Sequence, residues 1–122
     1  QSSAWDSTLR SVNDVRLQVA SSNDLAKIWN IGMSNPDELS EDDLVRFRLL
    51  LTSLVDATVM QYEQYTKLGM DSEYWTSTTI TLKRFSSSPG FNWYWKNFGK
   101  ETPEKFQSML NELIQEESAN ET

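Results

Sequence analysis

The sequence predicts an all-α fold: an irregular bundle of five or six helices around one long central helix at about residues 41–68. Three observations carry this expectation. Apolar residues recur at helical spacing along most of the 122-residue chain, and no strand-like alternation bounded by turn residues interrupts them. The 4 Gly and 3 Pro stand where helices should start or stop, not inside the apolar patterns. Ser40 and Gly69 bracket the longest pattern with a capping hydroxyl before it and a glycine after it.

In chain order, a first helix at about residues 4–20 carries Trp5, Leu9, Val12 and Val19, but Arg16 interrupts its stripe and Ser21-Ser22-Asn23 disconnects it from the second helix. Residues 1–22 are therefore an N-terminal helix or stalk that could dock on the core, project, or pair with another chain. Residues 23–117 form the helical domain and residues 118–122 a frayed tail. The second helix, at about 23–33, presents Leu25, Ile28 and Trp29. The central helix opens with Glu41, Asp42 and Asp43, whose charge suits a helix N-terminus. Leu44, Phe47, Leu51, Leu54, Val55, Thr58, Tyr62 and Tyr65 then fall on one stripe, widened by Leu50 and Val59.

The next helix, about 72–86, shows Trp75, Thr79, Leu82 and Phe85. Ser87-Ser88-Pro89-Gly90 should turn the chain into a short helix ending at Phe98. On that helix Phe91, Tyr94, Trp95 and Phe98 share a face, while Trp93 lies about 160° from Phe91, so it is expected to face solvent. Thr102-Pro103-Glu104 starts the last helix, about 103–117, with a capping hydroxyl, a proline and an early acid; Phe106, Met109, Leu110, Leu113 and Ile114 form its inner face.

Composition narrows the function. With 11 basic against 18 acidic residues the net charge is -7, which disfavours nucleic acid as a partner because phosphate-backbone affinity comes from Lys and Arg. The chain has no His and no Cys, which excludes Ser-His-Asp and Cys-His nucleophiles, imidazole proton shuttles, Cys/His zinc sites, thiol redox chemistry and disulfides. The longest aliphatic run, Leu49-Leu50-Leu51, is far short of a membrane span. Membrane contact is expected only through a segment preceding Gln1, a position at which the chain shows no initiator Met.

Several separated pieces carry a resemblance. Leu25-Ala26-Lys27-Ile28, Leu39-Ser40-Glu41-Asp42-Asp43 followed by Arg46-Phe47, Tyr62-Glu63-Gln64-Tyr65, Trp75, and Ser87-Ser88-Pro89-Gly90-Phe91 before an aromatic pair occur in that order. The chain thereby resembles a family of small, uncharacterised bacterial proteins with an N-terminal transmembrane segment and an acidic helical domain. Members of that family carry two tryptophans where this chain has Tyr94-Trp95, and a bulky residue where Thr78 or Thr79 stands. The resemblance implies a bacterial, membrane-anchored setting and transfers no catalytic or ligand residue.

Candidate sites emerge from side-chain chemistry. Residues 71–100 carry a local charge of +2 against -9 for the rest of the chain, and residues 91–98 hold five aromatics. An exposed Trp93 beside Lys96, with Lys100 and Arg84 nearby in sequence, would make a contact surface for an unknown protein partner or for self-association. The alternative is a pocket, serving a small ligand or a carboxylate-based enzyme, that joins Glu63 and Glu73, each beside aromatics, to Arg48 at the edge of the central stripe. The favoured reading of Arg48 is structural: its stem lies on the core and its head pairs with a neighbouring acid such as Asp56 or one from another helix. Glu41, Asp42 and Asp43 are better explained as helix-start charge than as metal ligands. No catalytic residue, metal or cofactor is nominated. The expected function is a non-enzymatic interaction domain, with the ligand-binding pocket as the alternative. Since neither thiol nor imidazole is present to hold a metal or bridge, chelator and reductant should leave the thermal midpoint unchanged; a fall with chelator would revive a carboxylate metal site.

Overall fold

The computed structural model describes the backbone of residues 2–69 and 71–120, and the side chains of the same residues except 2–9, 11 and 12. The side chains of Trp5, Leu9 and Val12 thus lie outside the described residues. Among the described residues six α-helices follow one another: α1 (Ser2–Ser21), α2 (Asn23–Ser34), α3 (Glu41–Leu68), α4 (Ser72–Ser86), α5 (Pro89–Phe98) and α6 (Glu104–Asn120). Short 3-10 turns occupy Pro36–Glu38 and Gly99–Glu101, and no strand occurs among the described residues. The all-α expectation holds.

Local chemistry sets the breaks. Ser22 leaves helical geometry and its Oγ accepts the Leu25 N–H at 3.3 Å, so one residue ends α1 and caps α2. Asn35 is extended ahead of Pro36, as a residue before proline prefers, and its Oδ1 accepts from the Asp37 N–H. Ser40 Oγ accepts the Asp43 N–H at 3.2 Å, and Gly69 closes α3 in the left-handed region at φ 64°. Asp71 Oδ1 caps α4 through the Glu73 N–H at 2.8 Å. The hydroxyls ahead of α5 and α6 act differently, although Thr102 is expected as a cap. Ser88 Oγ donates back to the Phe85 carbonyl, and Thr102 Oγ1 to the Gly99 carbonyl, so both hydroxyls close the preceding turn. Helix α6 also continues to Asn120, past the expected end at 117.

The core gathers on α3. Phe47, Leu51 and Val55 are buried with Ile28 of α2, Leu82 of α4, Phe91 and Tyr94 of α5, and Phe106 and Leu110 of α6. A second side of α3 is buried as well: Leu50, Ala57, Gln61 and Gln64 recur at helical spacing about 100° from the first stripe. The extra face has a cause, because α1 and α2 both pack along α3. This side joins Leu50 at the edge of the sequence stripe to Ala57 and two glutamines that the stripe does not include.

Close backbone approach fixes α5. A Cβ on Gly90 would collide with the Gly32 carbonyl oxygen and come within 2.6 Å of Met33 Cα, and a Cβ on Gly32 would enter the Phe47 ring. Around this junction the aromatics form one continuous path. Tyr65 stacks on Trp75, Trp75 meets Tyr62, and Tyr62 meets Phe106. From Phe106 contact passes through Trp95, Phe91, Phe85 and Trp29 to Phe47, and from Phe47 through Trp93 and Phe98 to Tyr94. Leu51, 1% exposed, sits beside this path, and Leu51→Ala should cost about 2–5 kcal/mol in denaturant unfolding. Ser53→Ala, which removes an exposed hydroxyl bonded to the Leu49 carbonyl, should be nearly neutral; equal midpoints for the two variants would contradict the packing described.

Candidate functional site

Where α1 crosses the seam between α3 and α4, the helices do not close completely. They leave a groove of about 320 Å³, within the usual range for small-molecule sites. Its floor is core: Leu51, Leu54 and Val55 of α3, Leu82 and Phe85 of α4, and Phe91 of α5. Thr58 and Gln61 line it from α3, and Tyr74, Ser77, Thr78 and Thr81 from α4. Asn13 and Arg16 line it from α1, one turn apart and so on the same side of that helix.

Three of the wall hydroxyls, those of Thr58, Thr78 and Thr81, are already engaged. Thr58 Oγ1 donates to the Leu54 carbonyl at 2.8 Å and Thr81 Oγ1 to the Ser77 carbonyl at 3.3 Å. Thr78 Oγ1 donates to Gln61 Oε1 at 2.7 Å, which joins α3 to α4 across the floor, and the Tyr74 carbonyl is within reach at 3.0 Å. Gln61 itself is only 5% exposed. A wall of internally satisfied hydroxyls can accept an apolar body without leaving a buried donor unpaired. Arg16 is the one formally charged residue among the described lining residues, in a chain of net charge -7.

The residues nominated from sequence lie elsewhere. Trp93 does not face solvent: it is half-buried, its ring 6.0 Å from Phe47 and 5.7 Å from Phe98. The helical-wheel angle is right, but α5 touches α2, the Pro36–Glu38 turn, α3 and α4, and the Trp93 ring packs on Phe47 of α3. Trp95, expected inside, is half-buried too and donates its Nε1–H to Asn111 Oδ1 at 2.8 Å. Trp93 and Lys96 still share a shallow groove with Pro36 and Pro89. Arg84 and Lys100 are exposed and line neither groove.

The alternative pocket does not assemble. Glu63 lines a shallow depression with Met60 and Lys67, and Glu73 is exposed at the start of α4. Arg48 lies on α3 roughly 22 Å along the axis from Glu63, at 1.5 Å per residue. Its guanidinium sits 4.0 Å from the centre of the Phe98 ring and 3.9 Å from Glu101, not Asp56, so it packs on the core edge and takes a partner from the turn after α5. Beside it the Tyr94 hydroxyl bonds Thr52 Oγ1 at 2.9 Å. Burial pushes the Asp56 carboxyl above its ordinary range, helped by the charge of Glu101. Burial likewise raises the Tyr94 phenol, with Asp56 and Glu101 acting in the same direction and the Thr52 bond and Arg48 opposing. Among the described residues no group of three acids converges to hold a metal ion, and Asp43 of the acidic start pairs with Arg46 at 2.8 Å.

Two sequence signals mark the groove residues, although neither reads as a site along the chain. Arg16 on the apolar side of α1 is a cation where a core contact is expected. The run Thr76-Ser77-Thr78-Thr79 with Thr81 puts residues of modest helix propensity in the middle of α4. In one dimension both look like weaknesses of a helix; only the tertiary arrangement turns them toward one space.

Compared with known protein families, curated proteins and solved structures, the chain matches none. For the packed tryptophans, Trp93→Ala and Trp95→Ala should each cost about 3 kcal/mol, the low end for truncating a large aromatic. A Trp93→Ala variant with an unaltered denaturant midpoint would return that ring to the surface.

Proposed function

We propose that this protein is a non-enzymatic binding domain whose site is the groove between α1, α3 and α4, and that its ligand is a small molecule with an apolar body. One observation carries the proposal: core side chains, Leu51, Val55, Leu82 and Phe91, form the floor of a space of about 320 Å³ in whose walls the Thr58, Thr78 and Thr81 hydroxyls are bonded internally. That volume suits roughly ten heavy atoms at about 30 Å³ for each water-sized group. A binding role without chemistry fits the side chains at hand, because the described lining residues offer hydroxyls, amides and one guanidinium but no paired base and nucleophile.

The resemblance to membrane-anchored bacterial proteins supports a setting beside a bacterial membrane. Among the described residues no helix is long and apolar enough to cross one, so the anchor is proposed in a segment before Gln1. A second reading, contact with a protein partner through α5, keeps one supporting feature, the shallow groove shared by Trp93, Lys96, Pro36 and Pro89.

The test is an NMR titration with 1-octanol, nine heavy atoms in an extended chain. Saturable shifts should appear at Leu54, Thr58, Gln61, Thr78 and Leu82, and should vanish in Leu54→Trp, confirmed as folded by circular dichroism. Shifts confined to Trp93 and Lys96 would favour the second reading, and unsaturable shifts spread over the surface would overturn the groove.

A further inference from the structure

We infer that the groove selects a carboxylic acid: a monoanion whose apolar chain lies on the α3–α4 floor and whose carboxylate meets Arg16 at the rim. This rests on the groove being the binding site, and it adds the chemical class of the ligand.

Charge is the first reason. Among the described residues that line the groove, Arg16 alone carries a formal charge, and no acid shares the lining with it. Arg16 has no ion pair among the described residues, whereas Arg46 pairs with Asp43, Arg48 reaches Glu101 and Lys83 reaches Glu116. It is exposed, so holding it at the groove costs no burial of charge, yet it stands on the side of α1 that faces core residues. The chain's overall charge of -7 does not forbid an anion there. Charges beyond about 8 Å are largely screened at physiological ionic strength, so the guanidinium dominates at contact distance.

Stoichiometry is the second. One guanidinium fork satisfies one carboxylate through two parallel N–H···O bonds. A phosphate dianion needs a second cation, and the described lining supplies none. Asn13, one turn from Arg16 on the same side of α1, adds an uncharged amide donor at the rim. Below the rim, the proton of Thr58 is spent on a backbone carbonyl and that of Thr78 on the Gln61 side chain or a backbone carbonyl, so the walls favour methylenes over a second anionic group. The geometry therefore orders the ligand: anionic end outward beneath α1, apolar end inward toward Leu82 and Phe91.

Octanoate and octanamide test this, since they have the same number of heavy atoms and differ in charge. Titrated at neutral pH and followed by NMR shifts at the groove residues, octanoate should bind about tenfold more tightly than octanamide. Arg16→Gln should abolish that preference, weakening octanoate far more than octanamide, while leaving the unfolding midpoint unchanged; Arg16→Lys should retain part of it. Equal binding of the two probes, or a preference that survives Arg16→Gln, would overturn the carboxylate inference and leave the groove standing. Absence of groove shifts with both probes would remove the groove as a site and this inference with it.

Discussion

The approach of α5 to α2 is the constraint on which the rest of the arrangement depends. Gly90 lies against the backbone of Gly32 and Met33, and Gly32 lies under the Phe47 ring, so two helices and the central ring meet without an intervening side chain. A methyl at either glycine would push backbone against backbone or against the core ring, where no flexible side-chain end can yield. With α5 held this close, Trp93 is trapped between Phe47 and Phe98, and the Tyr94 hydroxyl reaches Thr52 on α3. The residue that looks most like a surface anchor in the sequence becomes part of the packing for that reason.

From that junction the aromatic path carries order through the bundle. Rings from α2, α3, α4, α5 and α6 follow one another at centroid separations of 5.3 to 6.5 Å, each within the range of favourable edge or stacked contact. Helix α1 stands apart. None of its described side chains belongs to the buried cluster, and a single capped residue, Ser22, joins it to α2. It packs along α3, and its Asn13 and Arg16 line the groove over the α3 and α4 floor.

Electrostatics divides the molecule in the same way. Acids dominate the surface, and the partly desolvated pair of Asp56 and Tyr94 lies at the α3–α5 contact with Arg48 and Glu101. Both raised groups favour their neutral forms in the folded state. The Asp56 contribution is therefore complete below the ordinary carboxylate range and is lost as pH rises through its raised value, and the Tyr94 contribution is lost only at strongly alkaline pH. The groove lies apart from this pair, its described lining carrying the single charge of Arg16.

The helices are encoded locally. Ser40, Gly69, Asp71 and the Ser-Ser-Pro-Gly turn act through bonds within a few residues of themselves, so the ends of α3, α4 and the start of α5 are legible without any knowledge of neighbours. The stripe of Phe47, Leu51 and Val55 is legible for the same reason, since periodicity is a property of one helix. Which faces are shared is settled by how the helices cross. Trp93 is covered because α5 packs on α2, α3 and α4, Gln61 is buried where α4 brings Thr78 to it, and Arg48 and Glu63 stay apart because about four turns of one helix separate them. The site belongs to this second kind of information. Arg16, Gln61 and Thr78 come from three helices and meet only when those helices cross, and no spacing along the chain encodes a distance between elements.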